Sequence, residues 1–181
     1  DQCDNRIFAG KLCRDKNVLD CFCNAGGFGL NAAKCGAKSI TFVDSSKREI
    51  ENAKFNFQLN NLSCENEFIV SDVFNFLEES INQNKKYDVV IIDPPAFAKN
   101  KKSLPAALKG YEKLNRLAMN VLKDDGLLFT SSCSHHLKED MFIEVINKAA
   151  QKAHKKIQLF YFNNASLDHP MLPAMEETVY L

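Results

Sequence analysis

The feature that most constrains the fold of this chain is a short apolar run that ends in an acid and passes at once into a glycine-rich turn. Residues 18–29 read V-L-D-C-F-C-N-A-G-G-F-G, and an amphipathic helical pattern follows them. The glycines of this turn lack a Cβ, so the backbone can take positive φ and a ligand can approach the main chain closely. The pattern predicts a strand, a ligand-binding turn and a helix, the opening unit of an α/β fold.

The spacing of the glycines distinguishes between nucleotide cofactors. Asn24 stands where the first glycine of a G-x-G-x-x-G dinucleotide turn would be, which disfavours NAD. A strand-end acid followed by a short glycine turn suits a cofactor without a pyrophosphate, such as S-adenosylmethionine. An ordinary βα turn that binds nothing is the alternative. The candidate cofactor-binding residues of this stretch are Asp20, Phe22, Cys23, Asn24, Gly26, Gly27 and Phe28.

Apolar runs alternate with helical patterns along the rest of the chain. No linker or low-complexity stretch interrupts this alternation, so residues 1–181 are predicted to form one α/β domain with a mostly parallel sheet and helices on both faces. Further strands are predicted at 39–44, 68–70, 87–92, 127–131 and 156–162, helices at about 47–61, 73–84, 104–122 and 138–153, and the start of a last strand at 177–181.

Two of these strand ends carry further candidates for cofactor binding. Asp44 can accept hydrogen bonds from a ribose diol, or it can cap the next helix together with the serines that follow it. Asp72 can hold an adenine amino group, or it can cap the helix that begins at Val73. The candidates from these two strand ends are Asp44, Ser45, Asp72 and Val73.

The stretch D-P-P-A-F at 93–97 predicts a rigid loop beside a ligand. Two successive prolines fix φ and remove two N–H donors, so the loop leaves its strand stiffly and exposes the carboxylate of Asp93. Phe97 can stack on a flat heterocycle, or it can pack into the core. The lysines that follow can neutralise phosphates, or they can form a solvated loop. The candidate substrate-binding residues are Pro94, Pro95, Phe97, Lys99, Lys101 and Lys102.

Cys133 is the candidate nucleophile. It follows a predicted strand and lies between serines, in the sequence S-S-C-S. A free thiol has a pKa of about 8.5 and is strongly nucleophilic, so a modest shift makes it competent at neutral pH. A structural cysteine is the alternative. The adjacent His135 and His136 lack other ligands at zinc-like spacing, so no metal site is predicted.

Charge and cysteine content limit the partners and the compartment. Lys plus Arg and Asp plus Glu both number 23, so any basic surface must come from local clustering. The seven cysteines form no C-x-x-C pair, which predicts free thiols in a reducing cytosol and a cytoplasmic protein. The sequence contains no run of about 18 apolar residues, so no membrane span is predicted. A chain that begins at Asp1 rather than Met is expected to be an excised domain.

Together these motifs resemble the catalytic domain of class I S-adenosylmethionine-dependent ribosomal RNA methyltransferases of the RlmI type, which make 5-methylcytosine in large-subunit ribosomal RNA. The resemblance covers nearly the whole chain, although Cys3 stands where the family's opening D-Q-R-x-N-R motif has its first Arg. The matching stretches are Asp1-Gln2-x-x-Asn5-Arg6, Asp20-x-Phe22-Cys23-x-x-Gly26-Gly27-Phe28, Asp44, Asp93-Pro94-Pro95-x-Phe97, Gly110-Tyr111, Ser132-Cys133-Ser134 and Asp168-His169-Pro170.

The resemblance implies a Rossmann-like class I methyltransferase fold and a covalent mechanism with two catalytic residues. Cys133 would add to C6 of cytosine, which makes C5 nucleophilic enough to take the methyl group of S-adenosylmethionine. Asp93 would hold the base at N3 and N4. It is also counted among the candidate cofactor-binding residues. The implied partner is large-subunit ribosomal RNA. Members of the family carry an N-terminal PUA RNA-binding domain, so the resemblance implies that this sequence is the catalytic part of a longer protein.

Other functions stay open at this point. A related ribosomal RNA methyltransferase could modify guanine, where direct attack by a ring nitrogen needs no cysteine. A small-molecule methyltransferase would need no lysine-rich loop, and a non-catalytic RNA-binding module would show no affinity for S-adenosylmethionine. The residues do not determine the oligomeric state, so a homodimer is also left open.

Overall fold

The computed structural model describes residues 2–98, 100–134 and 136–163. A first helix, for which the sequence patterns made no prediction, precedes the alternation of strands and helices. The helices are α1 Cys3–Lys11, α2 Gly27–Lys34, α3 Lys47–Leu59, α4 Val73–Asn82, α5 Leu104–Val121 and α6 Glu139–Lys152. The strands are β1 Asn17–Cys21, β2 Ser39–Asp44, β3 Glu65–Val70, β4 Tyr87–Ile92 and β5 Leu122–Thr130, and a short 3-10 helix covers Lys101–Ser103.

Within the described residues, the strands form one parallel sheet in the order β3-β2-β1-β4-β5. The strand β1 pairs with β2 on one side and with β4 on the other, so the winding of the chain reverses there. In open sheets of this kind, ligands bind outside the carboxyl ends of the strands at such a reversal. The glycine-rich turn follows β1 directly and therefore lies at this crevice.

Helices cover both faces of the sheet, as predicted. Successive side chains of a strand face opposite sides. In β1, Val18 packs with residues of α1, α2 and α3, whereas Leu19 packs with residues of α4 and α5. Because β1, β2 and β4 are buried on both faces, these strands read as nearly continuous apolar runs rather than as alternating patterns.

The strand β5 begins earlier than the predicted 127–131. Leu122 pairs with Tyr87, and the register then shifts so that Leu127 pairs with Val89. The polar residues between the two pairings are exposed. Their polarity hid the first part of the strand from a reading based on apolar runs.

The predicted strand at 156–162 is wrong. This segment is described, but it has no strand conformation and joins no ladder with the described strands. Several of its apolar side chains are exposed, among them Phe160 at 64%. A strand exists only where a partner supplies hydrogen bonds, which a local pattern cannot reveal. The predicted start of a last strand at 177–181 lies outside the described residues.

Helix α1 packs closely on α2. A Cβ on Gly10 would lie 2.9 Å from the carbonyl oxygen of Asn31, so only glycine permits this approach. The contact holds the first turns of α1 beside the glycine-rich turn. A Cβ on Gly27 would lie 2.8 Å from Nε of Arg6. An arginine from the first helix therefore reaches the crevice above β1.

Candidate active site

The glycine-rich turn has an unusual backbone. Phe22, Asn24 and Gly26 all lie in the left-handed region, with φ values of 57°, 49° and 89°. Glycine and asparagine tolerate this conformation, but an aromatic residue there is strained by about 1–3 kcal/mol. The turn is closed by a hydrogen bond of 2.8 Å from the N–H of Gly26 to the carbonyl oxygen of Cys23. Strain of this kind persists only where the surrounding structure enforces it, which is typical of ligand sites.

The buried side chain of Asp20 binds the start of the helix that follows the glycine-rich turn. Its side chain is 1% exposed, and its Oδ2 accepts a 2.8 Å hydrogen bond from the N–H of Gly29 in the first turn of α2. Burial raises the pKa of this carboxyl from its ordinary 3.8 to about 7, while the Gly29 hydrogen bond opposes the rise and the charge of Asp93 adds to it. Its Oδ1 has no hydrogen-bond partner among the described residues.

The stability of the fold is expected to fall as pH rises, because Asp20 is buried. The folded protein binds a proton on this group up to about pH 7, whereas the unfolded chain releases it near 3.8. The stabilisation is complete below the unfolded pKa and is lost as pH rises through the folded one. We expect the free energy of unfolding to fall by up to about 1.4 kcal/mol per pH unit in this window, measured by urea denaturation.

An Asp20→Asn variant is the matched control, since the amide keeps an acceptor for Gly29 but cannot titrate. Its stability should depend less on pH. Burial also raises the pKa of Asp93, so a weaker slope of the same sign should persist and should disappear in a double variant with Asp93→Asn. An unchanged slope in Asp20→Asn would contradict the assignment.

Arg6 and Gln2 of the N-terminal segment are site residues that the sequence reasoning did not single out. The guanidinium carbon of Arg6 lies 5.7 Å from the ring centroid of Phe28, and its charge lowers the pKa of both Asp20 and Asp93 against the larger effect of burial. Gln2 is 2% exposed, and among the described residues neither its Nε2 nor Nε of Arg6 has a hydrogen-bond acceptor. The sequence signal for these two residues is the Q-x-x-N-R spacing at residues 2–6, which matches the family motif but does not by itself assign them a role.

The carboxylate of Asp44 joins the end of β2 to the glycine-rich turn. Its Oδ2 accepts from the N–H of Asn24 at 3.0 Å, and its Oδ1 accepts from the N–H of Ser46 at 2.9 Å. The helix cap itself is Ser46, whose Oγ accepts from the N–H of Glu49. Each carboxylate oxygen has a second lone pair, so the predicted contact with a ribose stays compatible with this arrangement. Ser45 is exposed beside it.

At the end of β3, the capping alternative holds for Asp72. Its Oδ1 accepts from the N–H of Asn75 at 3.0 Å, which makes it the N-cap of α4. The carboxylate is exposed, so the cap leaves room for a second contact. The side chain of Val73 is 1% exposed and packs into the core, so only its backbone is available to a ligand.

The loops after β4 and β5 meet, as the sequence predicted. Ser131 follows β5, and its hydroxyl donates a hydrogen bond to Oδ1 of Asp93. The thiol of Cys133 lies 3.5 Å from the carbonyl oxygen of Pro94 and donates to it. Burial raises the pKa of Asp93 above its ordinary value, and the Ser131 hydrogen bond opposes the rise. The half-buried thiol of Cys133 therefore lies against the backbone of the residue that follows Asp93, and the half-buried carboxyl of Asp93 is bonded to the loop that carries Cys133.

Phe97 packs against protein rather than standing free. Its ring centroid is 4.6 Å from that of Tyr111, and a Cβ on Gly110 would lie 3.1 Å from the ring. The side chain is half-buried, as the core-packing alternative requires. Its predicted stacking on a substrate stays a prediction, as do the roles of Pro94, which is buried, and Pro95, which is exposed. Lys101 and Lys102 are exposed in the 3-10 helix, and Lys99 lies outside the described residues.

The part of the chain that the structure describes has neither a membrane-spanning helix nor a metal-binding cluster. No described helix is both long enough and apolar enough to cross a bilayer. No group of three or more His, Cys, Asp and Glu side chains among the described residues could hold a metal ion. Of the two histidines after the serine-flanked cysteine, His136 is described and His135 is not.

The parallel sheet, the crevice at its winding reversal and the glycine-rich turn define a Rossmann-like methyltransferase fold. Residues 12–169 match the family model described as a methyltransferase domain, which is most of the chain. The chain therefore belongs to the methyltransferase domain family. The predicted fold class is confirmed by this match together with the observed sheet.

The chain is similar to curated proteins that are named as ribosomal RNA methyltransferases. The ribosomal RNA large subunit methyltransferase I of Shewanella frigidimarina is 40% identical over all of this chain and 46% of its own length. The protein of the same name from Photobacterium profundum is 41% identical over the same shares. The chain thus spans about half the length of the curated relatives it matches, at 46%.

A solved methyltransferase structure has the same fold as this chain. The crystal structure of SMU.776, assigned as a methyltransferase and complexed with SAH, superposes with a TM-score of 0.87. That protein is 28% identical, and the match covers 99% of this chain and 48% of that one. The shared fold therefore extends over nearly the whole chain.

Proposed function

We propose that this chain is the catalytic domain of an S-adenosylmethionine-dependent enzyme that forms 5-methylcytosine in large-subunit ribosomal RNA, with Cys133 as the nucleophile. The observation that carries the proposal is the contact of the Cys133 thiol with the carbonyl oxygen of Pro94, next to Asp93. The names of the curated relatives support the RNA substrate.

The residues around the glycine-rich turn fit S-adenosylmethionine. The carboxylate of Asp44 has acceptor capacity for a ribose diol. The unsatisfied donors of Gln2 and Arg6 suit a carboxylate, and the orphaned Oδ1 of Asp20 suits a cationic amine or a hydrogen-bond donor. When bound, this cofactor supplies a methyl group activated by a positively charged sulfonium.

Cys133 supplies the activation of the base. Cytosine C5 is a poor nucleophile until another nucleophile has added to C6 of the ring. When the Cys133 sulfur bonds to C6, the π pair of the C5–C6 double bond moves to C5 and is delocalised toward N3 and C4. C5 then carries the electron pair that would form the new bond to the methyl carbon, while the sulfonium–methyl bond would break and leave its electron pair on the cofactor sulfur. Later loss of the C5 proton and departure of the sulfur restore the double bond.

Asp93 holds the base during this addition. Negative charge develops at N3 as the sulfur adds, and a protonated carboxyl donates a hydrogen bond there while its other oxygen accepts from the N4 amino group. Burial raises the pKa of Asp93, which favours the protonated carboxyl relative to that of an ordinary aspartate. Ser131 fixes one carboxyl oxygen through its hydroxyl hydrogen bond.

The exposed lysines and the cysteine chemistry fit the rest of the proposal. Lys101 and Lys102 are exposed beyond the Asp93 loop, where they would neutralise RNA phosphates.

No disulfide joins any of the seven cysteines, all of which lie in the described part of the chain. This agrees with a cytoplasmic protein in a reducing compartment.

The test is nucleoside analysis of methylated RNA. The full-length protein is incubated with labelled S-adenosylmethionine and with large-subunit ribosomal RNA from a strain that lacks the gene. The digested RNA is analysed by mass spectrometry, and we expect label in 5-methylcytidine. Small-subunit RNA is the matched control and should stay unlabelled.

Two results would contradict the proposal. Label in a methylated guanosine would indicate the related guanine enzymes. Absence of a calorimetric signal on titration with S-adenosylmethionine would indicate an RNA-binding module without catalysis.

A further inference from the structure

A buried hydroxyl cluster lies directly beneath the candidate nucleophile. The hydroxyl of Ser132 donates to Oη of Tyr111 at 2.9 Å, and Oη lies 2.9 Å from Oγ of Ser134. The N–H of Ser134 donates to Oγ of Ser132 at 3.2 Å, which closes the cluster. Tyr111 is 0% exposed, Ser132 2% and Ser134 4%. One phenol oxygen therefore holds the residues on both sides of Cys133.

The same cluster reaches the loop that carries Asp93. Oγ of Ser134 accepts a 3.1 Å hydrogen bond from the N–H of Ala98, near the end of the D-P-P-A-F loop. The ring of Phe97 packs on the ring of Tyr111, with centroids 4.6 Å apart. Tyr111 thus contacts both loops at once, one mainly through its hydroxyl and the other through its ring.

Tyr111 is itself held rigidly. It lies in the middle of α5, and its carbonyl oxygen accepts a 2.9 Å hydrogen bond from the side-chain amide of Asn115. The ring of Phe142 from α6 meets it edge to face, with centroids 5.8 Å apart. A fully buried tyrosine packed against two aromatic rings has little freedom to change rotamer, so its hydroxyl is held in place. Both the loop that contains Cys133 and the loop that follows Asp93 contact Tyr111 in this fixed position.

We propose that the hydroxyl of Tyr111 is a positioning group that fixes the Cys133 loop against the Asp93 loop. The inference rests on the proposed role of Cys133 as the nucleophile, and it adds a residue that touches neither the base nor the cofactor. Its physical basis is preorganisation, since a nucleophile displaced by about 1 Å can lose about 100-fold in rate. Without the hydroxyl, two buried serine hydroxyls lose their shared partner and the loop relaxes to find others.

The test compares Tyr111→Phe with Tyr87→Phe in the full-length protein, below the thermal midpoint of each variant. Tyr87 is also buried, at 3%, but it begins β4 at the end of the strand remote from Asp93. We expect Tyr111→Phe to lower kcat by about 100-fold while KM for RNA and the Kd of S-adenosylmethionine change by less than about threefold. Tyr87→Phe should leave all three nearly unchanged.

A second readout needs no RNA. The rate of iodoacetamide alkylation of Cys133, followed by mass spectrometry of its peptide, reports on the loop directly. We expect Tyr111→Phe to raise this rate by about threefold or more, because a loosened loop exposes the half-buried thiol. Ser134→Ala should raise it as well, and it serves as the second variant if Tyr111→Phe does not fold.

The outcomes separate the two proposals. A kcat and an alkylation rate in Tyr111→Phe that both match the wild type would overturn the positioning role. Methylation that survives in Cys133→Ala would overturn the proposed nucleophile, whereas faster alkylation in Tyr111→Phe would still support the positioning of its loop.

Discussion

Replacing Cys133 with alanine is expected to reduce methyl transfer to cytosine by about 10⁴-fold or more, as the loss of a covalent nucleophile does in other enzymes. Cys21 at the end of β1 and Cys23 in the glycine-rich turn are poor substitutes. Cys21 and Cys23 are 0% and 5% exposed, and burial raises the pKa of both thiols well above the ordinary value. Neither of these two thiols can therefore replace the Cys133 thiolate.

Binding of S-adenosylmethionine should survive this change, because Cys133 lies after β5 and the glycine-rich turn lies after β1. Single-turnover methylation and calorimetric titration measure the two properties separately. Cys64→Ala is the matched control, since Cys64 is half-buried immediately before β3, which is the edge strand opposite β5. Methylation at the wild-type rate in Cys133→Ala would exclude the covalent scheme.

The covalent bond itself can be trapped. RNA with 5-fluorocytosine at the target accepts the sulfur at C6 and the methyl group at C5, but fluorine cannot leave as a proton does. We expect the wild type, and not Cys133→Ala, to form a protein–RNA adduct that persists in denaturing electrophoresis.

Replacing Gly29 with alanine is expected to lower the free energy of unfolding by about 3 kcal/mol or more, the upper range for overpacking a core. A Cβ there would lie 2.2 Å from Cε1 of Phe42 and 3.0 Å from Oδ2 of Asp20. Phe42 cannot move aside, because it is 0% exposed and stacked on Phe68 with centroids 4.7 Å apart. Helix α2 must shift instead, which strains the hydrogen bond from Gly29 to Asp20.

The matched control is Gly36→Ala. Gly36 has a φ of +90°, and the nearest atom to a Cβ there is Cγ of Arg14 at 3.9 Å, so this change adds backbone strain without a clash. We expect it to cost about 1–2 kcal/mol. Urea denaturation of both variants and titration with S-adenosylmethionine check the prediction. Equal stability losses, or unaltered cofactor affinity in Gly29→Ala, would show that α2 accommodates the methyl group.

The sequence predicted the sheet and the meeting of its loops for a physical reason. Parallel strands buried on both faces are continuous apolar runs, and their carboxyl ends lie at one edge. Asp20, Asp44, Asp93 and Cys133 could therefore be assigned to one edge from their positions after such runs. The structure agrees for all four.

What the sequence could not predict depends on contacts between distant segments. Tyr111 lies on a helix between two strands, and nothing in its local pattern distinguishes its hydroxyl from that of any other buried tyrosine. Phe97 could face a ligand or the core, and only the packing of α5 decides between them. Arg6 belongs to a helix whose place beside the turn depends on the close approach at Gly10.

The buried carboxyl of Asp20 has a consequence for ligand capture. With a pKa of about 7, this group is partly protonated in a neutral solution. A cation that arrives beside it favours the charged form and expels the proton into the solvent. If the cationic cofactor binds beside Asp20 as proposed, its uptake is coupled to the release of a proton, and we expect its affinity to fall as the solution is acidified below about pH 7.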